Sequence, residues 1–356
     1  MKRNFYILKN GKLVRKGNTV YFVCKKSEEK CFSSEVDEEE IEVESEDISD
    51  KPEYEKRVLP IEQIGVLFVY GRVSLTSGVI SFLGKNMIPV HFFGYYGNYE
   101  CSLMPREGLL SGELHIKQAL HYINPEKRVF IAKRLVEGSA QNILRNLEYY
   151  QREGKDLSDD ISYITSAFGS IEGCSDVGRL LALEGAIRSR YYSTFNKILR
   201  FFEFDERSRH PPGNPLNAMI SFGNSLLYGT VIKEIYHTQL DQTVSFLHEP
   251  SERRFSLALD LSEIFKPLLV DRVIFKLVNK DMISGDYFVR ELNCCLLNDK
   301  GREIFVREYD EKIHTTIKHR DLGRNVSYER LIYLECLKLC KHIIGLKEYK
   351  PFVIWW

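Results

Sequence analysis

Four side chains have the types and spacing for metal chemistry. In FLHEPSERRFSLALDLSEIFKPLLVDR, residues 246–272, His248 sits in a turn-like HEPS segment, and an apolar run from about Ser256 carries Asp260 and Glu263. The run reads as a helix, on which residues three apart project from neighbouring points. Leu257, Leu261, Ile264, Phe265 and Leu268 make much of the rest of it apolar. Carboxylates on a mostly buried helix are costly unless paired or bound to a cation. His248, a dozen residues upstream, can fold back onto that face. One imidazole with carboxylate oxygens suits Mg2+ or Mn2+.

A further acid comes from VGRLLALEGAIRSRYYSTFNKILRFF. Val177, Leu180, Ile187, Tyr191, Phe195, Ile198 and Phe202 recur three and four apart, as an amphipathic helix demands. Glu184 falls inside this stripe, where the pattern calls for an apolar side chain. Such a glutamate takes up a proton or finds a cation. Taken singly, each residue has a plainer reading. Glu184 pairs with Arg188 at i+4, His248 is a loop histidine, and Asp260 and Glu263 flank Lys266. Taken together, Glu184, His248 and Glu263 form a candidate metal set, with Asp260 close by as a further catalytic acid.

LEGAIRSRYY, HPPGNPLNA and FLHEPSERRFSLALDLSEIFKPLLVDR, in this order and spacing, resemble the CRISPR-associated integrase of spacer acquisition. The resemblance covers nearly the whole chain, from RVLPIEQIGVLFVYGRVSLTSGVISFLGKNMIPVHFFGYYG to the closing EYKPF. It implies a metal-dependent DNA endonuclease that inserts short DNA fragments into a CRISPR array. The family's glutamate, histidine and acidic metal ligands fall on Glu184, His248 and Glu263, with Mg2+ or Mn2+ as the cofactor. The attacking group would be the 3′-hydroxyl of the incoming fragment, and the target a phosphodiester at the repeat boundary. The resemblance also implies a homodimer through the β domain and a small second adaptation protein as partner. One departure stands out: where the family has an aspartate between its prolines, this chain has Asn214. Two other readings of the same residues are a branched-DNA repair nuclease and a non-catalytic DNA-bridging scaffold.

The elements that must position these residues form an α+β chain: an N-terminal β-sandwich-like domain, then a larger all-α catalytic domain. Residues 1–104 read as β, with Asn10-Gly11 and Gly17-Asn18 as turn signals. Residues 105–112 read as a linker. From Glu113 to 356 the period is helical, with a junction near Asn124-Pro125 and a helix starting near Leu216, past Pro211, Pro212 and Pro215. CCLLNDKGREIFVREYDEKI reads as short strand or turn elements. His91, within PVHFF, reads as a sheet histidine rather than a ligand.

Net charge is zero, which hides a strong asymmetry. Residues 28–56 hold 14 acidic and 3 basic side chains; removing them from 50 of each leaves 36 acidic and 47 basic, a net of +11. The acidic tract reads as a solvated loop, and the rest of the chain as basic enough to meet DNA phosphate. Candidate DNA contacts are Arg188, Arg207, Arg209, Arg253, Arg254, Lys318 and Arg320, with His210 beside them. Eight scattered cysteines without a Cys-x-x-Cys read as reduced thiols, and Cys336 and Cys340 as packing. No apolar run approaches the ~20 residues of a membrane span, and no signal peptide is apparent, so the cytoplasm is expected. The absence of a phosphate loop, a dinucleotide fingerprint or a nucleophile elbow argues against ATP, nicotinamide and serine-hydrolase chemistry.

Overall fold

The computed structural model describes residues 2–26, 54–94, 97–106, 109, 111–209, 211–250, 255–291 and 294–355. Nearly all of the acidic tract at 28–56 lies outside them, as do Arg253, Arg254 and His210. The chain divides into two units, Met1–Glu107 with Leu297–Glu303, and Gly108–Leu296 with Ile304–Trp356.

The first unit runs β1 (Arg3–Ile7), β2 (Gly11–Lys16), β3 (Thr19–Lys25), β4 (Tyr54–Pro60), β5 (Ile64–Val69), β6 (Val73–Leu75), α1 (Ser77–Lys85), β7 (Val90–Phe93) and β8 (Tyr99–Leu103). Two four-stranded sheets form, β1-β5-β7-β8 and β4-β3-β2-β6. Their apolar faces share one core, with Ile7, Val69 and Val90 from the first and Leu13, Val20 and Phe22 from the second. β5 is buried along its whole length, as its unbroken IGVLFV predicts for a strand covered on both faces.

Gly17, at φ 60°, turns the β2–β3 hairpin. Asn10-Gly11 is not a hairpin turn. There the chain passes from one sheet to the other, and Asn10 Oδ1 accepts the Arg72 N–H at 2.8 Å. A Cβ on Gly11 would meet Val23 O at 2.4 Å, so close strand approach explains that glycine. The β reading also missed α1, which Thr76 caps by accepting the Val79 N–H. His91 is buried on β7, with Nδ1 2.5 Å from Ser102 Oγ.

The second unit carries α2 (Gly112–Ile123), α3 (Pro125–Arg152), α4 (Ser158–Gly169), α5 (Val177–Ser193), α6 (Phe195–Ile198), α7 (Pro215–Tyr236), α8 (Ser256–Lys266) and α9 (Arg272–Asn279). After these come β9 (Phe288–Glu291), β10 (Cys294–Leu297), α10 (Asp299–His314), β11 (Thr316–Lys318), β12 (Asn325–Ser327) and α11 (Tyr328–Ile343). The helical part is therefore not all-α: β9–β10 and β11–β12 are two-stranded ribbons. Asp299–His314, expected as strand or turn, is a 16-residue helix. Its Phe305, Tyr309 and Ile313, four apart, are fully buried, a helical period that outweighs the short apolar run before it.

Helix starts follow the sequence. Asn124 accepts the Lys127 N–H with Pro125 in the first turn, and Asp176 accepts that of Arg179. Asn214, the departure from the family pattern, accepts the Asn217 N–H at 2.8 Å and so caps α7, a task asparagine does as well as aspartate. Cys336 is buried and Cys340 half-buried, both thiols pushed up by burial. Among the described residues, no helix is long and apolar enough to cross a membrane.

Candidate metal centre

α8 is buried on nearly every side, with Leu257, Leu261, Ile264 and Phe265 at zero exposure. It packs on α3 and α7. Pro267 ends its regular hydrogen bonding, because proline lacks the N–H and crowds the preceding turn. A π-helical turn over Pro267–Asp271 follows before α9. The carbonyls this irregularity frees are taken by two asparagines one turn apart on α3. Asn142 donates to Ile264 O at 2.9 Å, and Asn146 to Pro267 O at 2.6 Å. Asn142 also accepts the Ile354 N–H, which ties the C-terminal segment to α8. Gly138, one turn earlier, lets that segment close in: a Cβ there would meet Pro351 at 2.7 Å.

Asp260 is fully buried, and its oxygens are spent. It accepts the backbone N–H groups of Phe246, Leu247 and His248 at 2.7, 2.9 and 2.9 Å, and lies 2.8 Å from His248 Nδ1. The expected catalytic role for Asp260 is therefore corrected to one of positioning. It folds the 246–248 turn onto α8 and fixes the imidazole so that Nε2 is the nitrogen left for a ligand. A carboxylate behind a histidine in this way is the usual support of a metal-bound imidazole. Burial works against charge on His248, but the hydrogen bond and charge of Asp260, with Glu263 behind it, raise its pKa above the ordinary value.

Glu184 and Glu263 meet at Arg188. From α5, Arg188 Nε approaches Glu184 Oε1 at 3.3 Å, and Nη2 bonds both Ser139 Oγ at 3.0 Å and Glu263 Oε2. Lys266 bonds the other oxygen of Glu263. Burial alone would raise the Glu263 carboxyl; Lys266 and Arg188 overcome it and hold it down at about 2. The plain i+4 pairing of Glu184 with Arg188 is thus present, as part of a larger cluster. Among the described residues, no three His, Cys, Asp or Glu side chains stand together as a ready cluster of ligands. The carboxylates are held by Arg188 and Lys266 instead.

Charge balance shows what the donor set fits. Four carboxyl groups, Glu184, Asp260, Glu263 and Asp271, face two permanent cations, Arg188 and Lys266. Burial pushes Asp271 up to about 7, against the pull of Arg188. Asp271 Oδ2 and Arg188 Nη1 are both buried with no hydrogen-bond partner among the described residues. Four carboxyl groups against two permanent cations leave an excess of negative charge, and hard oxygens with one imidazole are a donor set suited to Mg2+ or Mn2+.

The candidate DNA contacts separate into two groups. Arg188 is buried and spent on carboxylates, so it is not a surface phosphate contact. Arg207 is half-buried and braces α7, donating to Asn217 Oδ1 at 2.9 Å and Ser221 Oγ at 3.0 Å, which likewise gives it a structural role. Arg209, Lys318 and Arg320 are exposed. Lys318 ends β11, and Arg320 lies in the loop beyond, over Trp355 at 5.2 Å. The basic residues of α3 are largely paired: Arg128 with Glu249, Arg134 with Glu137 and Glu172, Arg145 with Glu148. His314 lies against Asp310 and Glu329.

Sequence reasoning passed over Asn142, Asn146, Asp271 and the cross-linking role of Arg188. The asparagines did leave a signal: polar residues at i and i+4 beside Ile143 and Leu147, on a face otherwise apolar. Asp271 left none, since an aspartate two residues past a leucine pair looks like any helix surface position.

The fold and cluster together define a class: a β unit joined to a helical unit that gathers two glutamates, a supported histidine and two cations. The family model described as CRISPR associated protein Cas1 matches residues 5–311. Cas1 1 of Methanobrevibacter ruminantium is 51% identical over 100% of this chain and 99% of its own length. CRISPR-associated endonuclease Cas1 3 of Thermodesulfovibrio yellowstonii is 44% identical over 99% of this chain and 100% of its own. Among solved structures, a Cas1 protein from Thermotoga maritima superposes with TM-score 0.80 at 35% identity, covering 98% of this chain and 100% of that one. The chain belongs to the Cas1 family of CRISPR-associated proteins.

Proposed function

We propose that the chain is a divalent-metal-dependent DNA endonuclease and integrase of CRISPR adaptation, joining 3′-hydroxyl ends of short DNA fragments to the CRISPR repeat by phosphodiester transesterification. The observation that carries this reading is the buried cluster in which Asp260 fixes His248 beside Glu263, with Glu184 across Arg188. Membership of a family with relatives called endonucleases supports it. Glu184, His248 Nε2 and Glu263 would hold Mg2+ or Mn2+. When bound, the ion neutralises charge at phosphorus and helps activate the attacking oxygen.

The chain's own residues do the rest. Asp260 keeps the imidazole aimed and its Nδ1 proton engaged. Arg188 and Lys266 bind the Glu263 carboxylate and favour its charged form, and Arg188, steadied by Ser139, also bonds Glu184. Positioning of the two DNA ends then supplies much of the rate, since no covalent enzyme intermediate is needed. Exposed Arg209, Lys318 and Arg320 are suited to backbone contact. We extend the reading to a homodimer that works in the cytoplasm with a small second adaptation protein.

The test is strand transfer on supercoiled DNA carrying a repeat, with and without that partner. Alanine at Glu184, His248 or Glu263 is expected to abolish transfer while circular dichroism stays native. Full activity of His248→Ala in the presence of chelator would end the proposal. Absence of heat on titration with Mn2+ would favour a DNA-bridging scaffold.

A further inference from the structure

A second cleft in the helical unit contains none of the candidate metal ligands and meets the cluster above through Arg272, which bonds Asn146. It opens between the C-terminal end of α3 and α9, encloses about 670 Å³ and is lined by Tyr149, Lys155, Arg200, Arg272, Lys276 and Lys280 among others. The volume lies within the roughly 300–1,000 Å³ of sites that receive small ligands or single monomers of a chain. Five cations face into it, and Glu153 is the single acid among the lining residues.

Neighbouring carboxylates answer only some of this charge. Arg200 meets Asp281 at 3.1 Å, and Lys276 meets Glu308 and Glu311 at 2.6 and 3.4 Å. Among the described residues, no carboxylate lies within ion-pair distance of Lys155, Arg272 or Lys280. Arg272 is locked in place by its Nε, which donates to Asn146 Oδ1 at 2.6 Å. Its Nη groups make no hydrogen bond to the protein among the described residues. Lys312, part-buried close by, has its pKa lowered to about 8 by burial and by Arg272 and Lys276. Positive charge is therefore concentrated here beyond what the fold neutralises.

The second feature is aromatic. Tyr150 packs edge-on against Phe275 and forms the floor. Tyr149, 45% exposed, stands at right angles to Tyr150, with the Arg272 guanidinium 5.9 Å from its ring centre. An exposed ring beside unneutralised cations in a concave cleft matches the stacking platforms that receive unpaired bases. A duplex keeps its bases stacked inside and offers such a cleft only its backbone.

We propose that this cleft binds an unpaired stretch of nucleic acid, with phosphodiester oxygens on Lys155, Arg272 and Lys280 and a base on the Tyr149 ring. The subsite rests on the nucleic-acid reading of the chain but not on its metal. It is expected to bind with chelator present and with Glu263 replaced.

The experiment is anisotropy of labelled twelve-residue oligothymidylate and oligouridylate titrated with the full chain in EDTA, at several salt concentrations. The two oligomers separate DNA from RNA as the source of the strand. The double variant Lys155→Glu/Lys280→Glu is expected to weaken single-strand binding by about tenfold or more and to lower the salt slope by roughly one and a half. Tyr149→Ala is expected to weaken it by about tenfold with the slope unchanged, and to leave duplex binding intact. Lys127→Glu/Lys347→Glu, at a separate surface of the same unit, is expected to change nothing. Thermal melting checks that each variant is folded. Unchanged single-strand affinity in folded Tyr149→Ala and Lys155→Glu/Lys280→Glu proteins overturns the subsite and leaves the integrase proposal standing. Failure of the unmodified chain to bind any strand overturns both.

Discussion

Arg188 of α5 donates to Glu263 of α8, which closes a buried ion pair across two helices 75 residues apart in the chain. The same guanidinium reaches Glu184 and Ser139, so one cation holds the two carboxylates that the metal reading needs.

Removing that cation is expected to leave Glu263 facing Lys266 alone. Arg188→Ala should cost about 3–5 kcal/mol, the usual penalty for leaving a buried charge uncompensated. A bound divalent ion restores the missing charge, so Mn2+ should raise the melting temperature of the variant by more than that of the unmodified chain. Thermal melts with and without Mn2+ check both. Equal shifts would show that Arg188 and the ion do not share these carboxylates.

Asp260 supports His248 through one oxygen and three backbone N–H groups through the pair. Asp260→Asn keeps the shape but weakens every one of these bonds. Metal affinity and strand transfer should fall about 10- to 100-fold. The His248 pKa, raised by Asp260, should drop, which NMR titration of the imidazole reads directly. A structural role alone would not move that value.

Acid and base act on this cluster in opposite ways. Glu263 is depressed from 4.5 to about 2, so its contribution to stability is complete above 4.5 and is lost as pH falls toward 2. His248 is raised above 6.5, so its contribution is complete below 6.5 and is lost as pH rises through the raised value. A metal-ligating imidazole must be neutral. Mn2+ affinity should therefore climb as pH rises through the raised His248 value, with roughly one proton released per ion, as calorimetry in buffers of different ionisation enthalpy would measure.

Asn146 satisfies the Pro267 carbonyl and accepts from Arg272 at once. Asn146→Leu leaves both unpaired in a buried setting. A loss of about 1–3 kcal/mol in urea unfolding is expected, at constant slope.

His314 is raised from 6.5 to about 9, first by its hydrogen bond to Asp310 and further by Glu329. Its stabilisation is present below 6.5 and lost as pH rises through about 9. His314→Gln should flatten the stability profile across that window while leaving strand transfer unchanged.

The sequence by itself determined the two-part order of strands then helices, the helix junction near Asn124-Pro125 and the helix start near Leu216, and the anomaly of charged residues inside apolar stripes at Glu184, Asp260 and Glu263. These are local signals: a period of two or 3.6, a proline at a helix start, a carboxylate where a leucine belongs. Tertiary structure alone decided which partner each charge took. Asp260 turned out to hold the 246–248 backbone, because three N–H groups of a buried turn had no other acceptor. Arg188, expected at the surface, is drawn inward because the buried Glu263 and half-buried Glu184 carboxylates cost more unpaired than a guanidinium costs to desolvate beside them. Asp271 and Asn146 became part of the site only because Pro267 breaks the hydrogen bonding of α8 and swings the following turn against α3. Spacing along the chain records the first kind of fact. The second depends on contacts between residues far apart in sequence, where burial makes each charge's energy a property of its neighbours.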